Sequence, residues 1–256
     1  PSADRHAGAV QVGRLVLHLH GDQLMENTVV IFMSDNGMTG GASGRPGQSL
    51  GQTPAGGEMP FFNAGMKGLK GSPDEGGLRV PFYVRGDGRW PGGRDVDRVA
   101  ADIDIFPTLA GLVGAKLPAG QVEGRSLLPL LENPQADWAD RYIFTHVGRW
   151  PTGANPDDFK FKNFSIRSQQ FRFVNNEQLF DMVADPAQKL NVIDQHPQVV
   201  QQMRQAWNEW WEHTKPLLVN ESAPMSKTRP FYELYFQQLN SSGIPEWAPE
   251  WSGGRQ

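Results

Sequence analysis

The chain contains no cysteine. That removes disulfides, thiolate metal sites and cysteine nucleophiles together. It leaves the compartment open, since exported bacterial proteins often do without disulfides. There is no long apolar run, so no membrane span is expected. Basic residues are not in excess either. The net charge is -4, which argues against nucleic acid as a partner. The opening Pro1-Ser2-Ala3-Asp4-Arg5-His6 lacks an apolar core and an initiator Met. No signal peptide is read there, and the sequence suggests a segment of something longer. Internal repeats and low-complexity runs are absent too. The 256 residues, 38% of them hydrophobic and 20% charged, suffice to bury a real core in one large or two small domains.

The order of elements then takes shape. Ala7 to His20 reads as a helix stopped by Gly21. Thr28 to Met33 is a continuous apolar, β-branched run, the pattern of a fully buried strand, ending at Ser34-Asp35-Asn36-Gly37. Helix, buried strand and polar Gly turn in succession point to an α/β fold with a mainly parallel sheet. Residues 37–60 read as a long irregular loop, and such loops in compact domains are usually functional. A second strand is expected at Arg79 to Val84, and a helix at Val99 to Val113, broken or kinked near Pro107. Beyond about residue 135 the texture changes. Short runs at Tyr142–Thr145, Asn163–Ile166, Phe171–Val174 and Gln178–Asp181 predict a small antiparallel sheet. Pro197 opens an amphipathic helix in which Val199, Val200, Met203, Trp207, Trp210 and Trp211 form a stripe read as core packing. The tail from Ser222 is expected to wrap the surface. The predicted division is 1–135 and 136–256.

Two stretches could carry chemistry. Asp35 and Asn36 stand at the C-terminal end of the first strand, the edge where open α/β sheets bind ligands. Carboxylate and carboxamide are hard oxygen donors of the kind calcium or magnesium takes, although Asp-Asn-Gly is also an ordinary turn. In Asn63 to Pro81, glycines surround Lys67 and Lys70 just before a strand. An ammonium suits an oxyanion and glycine allows close approach; taken alone, the run reads as a solvated loop with two surface lysines.

Together these stretches resemble type I sulfatases of the alkaline-phosphatase superfamily. Ser34-Asp35-Asn36-Gly37 resembles the family's second metal-ligand motif. Lys70-Gly71-Ser72 with Glu75-Gly76-Gly77-Leu78-Arg79-Val80-Pro81 is similar to its lysine and EGG-x-R-V-P run. Asp104-Ile105-Phe106-Pro107-Thr108-Leu109, Glu123-Gly124-Arg125-Ser126-Leu127-Leu128-Pro129, and Leu179-Phe180-Asp181-Met182 with Asp185-Pro186 and Leu190-Asn191 follow in the family's order. The resemblance runs from about residue 8 to 218.

The resemblance implies calcium held by Asp35 and Asn36, and substrate sulfate bound by Lys70. Asp74 replaces a residue that is often aromatic, Arg79 is structural, and Lys67 points to solvent. His146, in Thr145-His146-Val147-Gly148-Arg149-Trp150, reads as a hydrogen-bonded loop histidine, or as a substrate contact where the C-terminal subdomain borders the cleft. The family's nucleophile is a formylglycine made from Cys or Ser in a C/S-x-P-S-R-type motif. That motif is absent here: Ser222-Ala223-Pro224-Met225-Ser226 lacks the arginine, and Ser168-Gln169-Gln170-Phe171-Arg172 lacks the proline or alanine. No catalytic nucleophile is therefore assigned.

The expected fold is part of an alkaline-phosphatase-like α/β sheet, mainly parallel, with a small antiparallel C-terminal subdomain packed by a helix. The expected reaction, in a longer parent, is metal-assisted hydrolysis of the sulfate ester of a small molecule or glycan. The chain alone is expected to be inactive, and the parent to be periplasmic or extracellular. Alternatives are a phosphate or phosphonate ester hydrolase of the same superfamily, and a non-catalytic binder of sulfated ligands.

Overall fold

The computed structural model describes residues 2–38, 63–120, 122–151, 153–218, 230–241 and 243. Most of the Gly-rich stretch 37–60 and most of the tail beyond Ser222 lie outside them. Packing divides the chain into two units, Pro1–Pro216 and Leu217–Gln256.

The first unit begins with helix α1 (Ser2–Gly21) and strand β1 (Val29–Met33). A single helical turn, α2 (Glu75–Leu78), leads into β2 (Phe82–Gly86). β1 and β2 pair antiparallel, Met33 opposite Phe82 and Val29 opposite Gly86. The mainly parallel pairing expected from sequence is thus not found among the described residues, whose sheets are both antiparallel. The reason lies in the connection. The 67–77 loop folds over the C-terminal end of β1, so the chain enters β2 at the end where β1 leaves. A parallel partner would need a crossover that returns to the other end. Nor is β1 fully buried: Phe32 and, on β2, Tyr83 are exposed, because a two-stranded ribbon leaves its faces open.

Helix α3 (Ile105–Val113) follows a 3-10 turn at Asp102–Asp104 and ends at Gly114 with φ +67°, the left-handed C-terminal stop. The helix predicted from Val99 starts only at Ile105, so Pro107 falls in its first turn, where its missing N–H costs nothing. The short helix α4 (Leu128–Glu132) then leads to the antiparallel meander β3 (Ile143–His146), β4 (Phe164–Arg167), β5 (Phe171–Val174) and β6 (Gln178–Asp181). The four predicted runs become these four strands with their ends shifted by no more than a single residue.

This sheet has two working faces. Phe164, Ile166 and Phe173 point to one, where helix α5 (Pro197–Leu218) delivers Met203, Trp207 and Trp211, all fully buried. Trp207 stacks on Phe164 at 4.2 Å. The indole nitrogens of Trp207 and Trp211 donate to Lys160 O and to Asp157 Oδ1. The predicted stripe is therefore core. Strand alternation sends Ser165, Arg167, Arg172, Gln178 and Phe180 to the opposite face, which meets the lysine-bearing loop. The second unit contains helix α6 (Pro230–Asn240), with Leu234, Tyr235, Phe236 and Leu239 exposed.

Candidate functional site

Beyond the last residue of β1 the chain turns through Ser34–Gly37, closed by Ser34 Oγ donating to Asn36 O at 3.0 Å. Two backbone bonds join this turn to the lysine loop: Gly37 N to Gly77 O, 2.9 Å, and Lys70 N to Met38 O, 2.9 Å. The approach is so close that a Cβ at Gly37 would run into Gly76 O, and one at Gly77 into Ser72 O and Leu69 O. Glycine at these positions is a spatial necessity, not a matter of φ.

A cleft of about 430 Å³ opens between the two segments. Asp35, Asn36 and Lys70 line it together with Asn63 and Arg79. Asp35 and Lys70 are exposed, and no hydrogen bond holds either side chain among the described residues. Asn63 is held in place by donating to Met66 O and Gly68 O. Arg79 reaches the buried Glu75 at 3.6 Å yet stays two-thirds exposed. It also lines the cleft as a second cation.

Asp35 and Asn36 offer calcium the right chemistry, one carboxylate and one carboxamide oxygen at the mouth of the cleft. They supply two donors where calcium takes 6–8, and no group of three His, Cys, Asp or Glu suited to a metal exists among the described residues. The pair fits as part of a ligand set.

Lys67 corrects an expectation. It does not point to solvent: its Nζ donates to Gln178 Oε1 at 2.9 Å, pairs with Asp74 at 3.2 Å and lies over the Phe180 ring. His146 is likewise engaged inside the subdomain. Its Nε2 bonds Phe159 O at 3.0 Å, and Gly148 N donates to Nδ1 at 2.9 Å. A carbonyl can only accept and an N–H only donate, so the ring is neutral with its proton on Nε2. It packs against Trp150, Trp207 and Trp211, and this burial lowers its pKa. His146 is the last residue of β3, not a loop residue; it is held by hydrogen bonds within the subdomain and is not among the residues lining the Lys70 cleft.

Asp104, fully buried, braces the unit. It accepts from Ala101 N and Arg125 N, and both terminal nitrogens of Arg141 pair with its carboxylate. Three further residues that support the loop were not singled out from sequence. Arg172 and Gln188 are buried against it, and Arg167 Nε stands 3.7 Å from Glu75. Burial lowers the Arg167 guanidinium to about 10 while Glu75 pulls it back up. The available signal was a lone arginine in each apolar strand, Phe-Ser-Ile-Arg and Phe-Arg-Phe-Val.

Comparison with known proteins fits this geometry. The Sulfatase family profile matches residues 10–115, and that of N-sulphoglucosamine sulphohydrolase, C-terminal, matches residues 73–215, more than half the chain. Arylsulfatase D of Homo sapiens is 33% identical over 140 residues, 54% of this chain and 22% of that protein. The N-acetylgalactosamine-6-O-sulfatase of Bacteroides thetaiotaomicron is 31% identical over 210 residues, 75% of this chain and 38% of the relative. Among solved structures, Ps i-CgsB in complex with k-i-k-neocarrahexaose superposes with TM-score 0.58 at 25% identity, over 90% of this chain and 46% of that one. The chain thus spans less than half the length of each.

Proposed function

This chain belongs to the sulfatase family, and from that premise we propose that the protein it forms part of hydrolyses a sulfate ester, with the Asp35, Asn36 and Lys70 cleft as one wall of its active site. Water enters and the S–O bond to the leaving alcohol breaks, giving the alcohol and inorganic sulfate. One observation carries the reading. A metal-type oxygen pair and a cation whose side chain has no hydrogen-bond partner among the described residues converge on one cleft from segments more than thirty residues apart, and backbone bonds hold those segments together.

Calcium, when bound by Asp35 and Asn36 with further donors, would supply positive charge against the sulfate oxygens. The chain's own residues add binding and positive charge at this wall. Lys70 presents a compact ammonium to the same oxygens, and its backbone is tied to Met38, so little reorganisation is needed as charge develops. Arg79 adds a second positive group at the wall. Beneath the site Gly76 and Gly77 are buried and packed backbone on backbone, which leaves the loop little room to move.

We further propose a carbohydrate sulfate as substrate. The support is the similarity to an N-acetylgalactosamine-6-O-sulfatase and to a structure in complex with a neocarrahexaose. The test is sulfate release by the complete protein from 6-O-sulfated N-acetylgalactosamine and from an aryl sulfate. Turnover of either supports the hydrolase. Preference for the sugar supports the substrate class, and hydrolysis of phosphate esters alone would overturn both. In the same protein Asp35→Ala should lose bound calcium; unchanged metal stoichiometry would refute the ligand assignment.

A further inference from the structure

The loop that carries Lys70 is held from beneath by the antiparallel sheet. Arg172, only 4% exposed, donates from Nη2 to Glu75 Oε2 at 2.5 Å and from Nη1 to Pro73 O at 2.9 Å and Ser165 Oγ at 3.1 Å. Beside it stands Gln188, also 4% exposed. Its Oε1 accepts from Glu75 N at 2.7 Å, and its Nε2 donates to Asp74 Oδ1 at 3.2 Å. Gln188 makes these contacts from φ +56°, a left-handed conformation that is uncommon and strained for a side-chain-bearing residue. The surrounding turn enforces it: Gln188 N donates to Asp185 O, and Lys189 N and Leu190 N both donate to Asp185 Oδ2. Strain of this kind persists where the surroundings demand a particular side-chain position.

The turn that Gln188 grips is linked by backbone bonds to both halves of the cleft. Gly76 N donates to Lys67 O at 2.7 Å and Ser72 N to Leu69 O at 2.8 Å, while Gly77 O receives Gly37 N. With no room for a Cβ at Gly76 or Gly77, a shift of residues 74–77 has no soft side chain to absorb it. It must move the Lys70 segment or the Asp35–Asn36 turn.

We propose that Gln188 is a positioning residue for the anion site, setting where Lys70 stands, and that the role requires a carboxamide. An amide accepts from the Glu75 N–H with one end and donates to the Asp74 carboxylate with the other, which a carboxyl group can do only when protonated. A carboxylate there would face Asp74 and Glu75 with a third negative group and would raise its own pKa by like-charge repulsion. The role of Lys70 in this inference rests on the sulfatase reading.

A double-mutant cycle in the complete protein tests it, with Lys70→Ala, Gln188→Glu, Gln188→Ala and the Lys70→Ala/Gln188→Glu pair assayed on an aryl sulfate. Gln188→Glu should lower kcat/KM about ten- to a hundredfold, as a small misplacement does. In the Lys70→Ala background it should cost less than about twofold, because the group it positions is gone. The Glu variant should also regain activity relative to wild type as pH falls and its carboxyl becomes a donor, and Gln188→Ala should show no such recovery. Equal losses with and without Lys70, or activity that merely follows the melting temperature of each variant, would overturn the proposal while leaving the hydrolase intact. Should the wild type hydrolyse no sulfate ester, the functional reading falls instead. The cycle is then read on inorganic sulfate binding by calorimetry, where non-additivity upholds the positioning role and additivity ends it. A wild type that neither hydrolyses nor binds sulfate overturns both.

Discussion

Single residues divide into those that meet the cleft and those that hold it. Lys70 and Lys67 lie three positions apart in a Gly-flanked stretch, yet Lys70 lines the cleft while Lys67 is tied to Asp74, Gln178 and Phe180. Removing one preorganised contact to developing charge costs about 2.7–4 kcal/mol, a hundred- to thousandfold in turnover. Lys70→Ala in the complete enzyme should lose activity on that scale. Lys67→Ala gives up a partly exposed pair, worth about 1 kcal/mol or less, and should stay within about fivefold in the same assay. Equal losses in two folded proteins would mean that the loop acts as a diffuse positive patch. His146 belongs to the holding class and gives a pH signature. Burial lowers its folded pKa below the unfolded value of about 6.5. Between those values the unfolded chain binds more protons, so stability is full above about pH 6.5 and falls as the solution is acidified below it. Melting temperatures between pH 7.5 and 5.5 should therefore drop more for wild type than for His146→Gln, and parallel curves would remove His146 as the cause.

At the scale of elements, the 3-10 turn and α3 are joined to the start of the sheet through Asp104 and Arg141. Asp104 is fully buried and the Arg141 side chain 8% exposed. Breaking such a pair leaves an uncompensated charge in the interior, which costs about 3–5 kcal/mol. Asp104→Ala should accordingly lower the melting temperature by about 6–20 °C, with the cleft residues untouched. A change of only a degree or two would show that Arg141 finds another acceptor. The meander β3–β6 has a different job. Its α5 face is an aromatic core, and its other face carries polar groups that end on the lysine loop. That second face explains why strands so short are not simply alternating apolar and solvated.

Over the whole molecule, the family match reaches further than the motifs that carry the family's chemistry. The chain matches sulfatase profiles across most of its length but holds no Cys and no C/S-x-P-S-R-type motif. Incubated alone with an aryl sulfate and calcium, it should release no sulfate above a heat-killed control, and turnover would overturn that expectation. The sequence by itself determined the family, the four strands of the meander, the aromatic stripe of α5 and the pairing of Asp35-Asn36 with Lys70. These rest on local signals: residue type, period two or 3.6, and motif order along the chain. Tertiary structure decided the rest. It set β2 antiparallel to β1 because the loop returns at the same sheet end, turned Lys67 inward onto Gln178, and closed His146 between Phe159 and Gly148. It also brought Gln188 against Glu75 across more than a hundred residues. Such contacts depend on which faces meet when the chain collapses, and no periodicity along the sequence encodes the partner of a buried polar group.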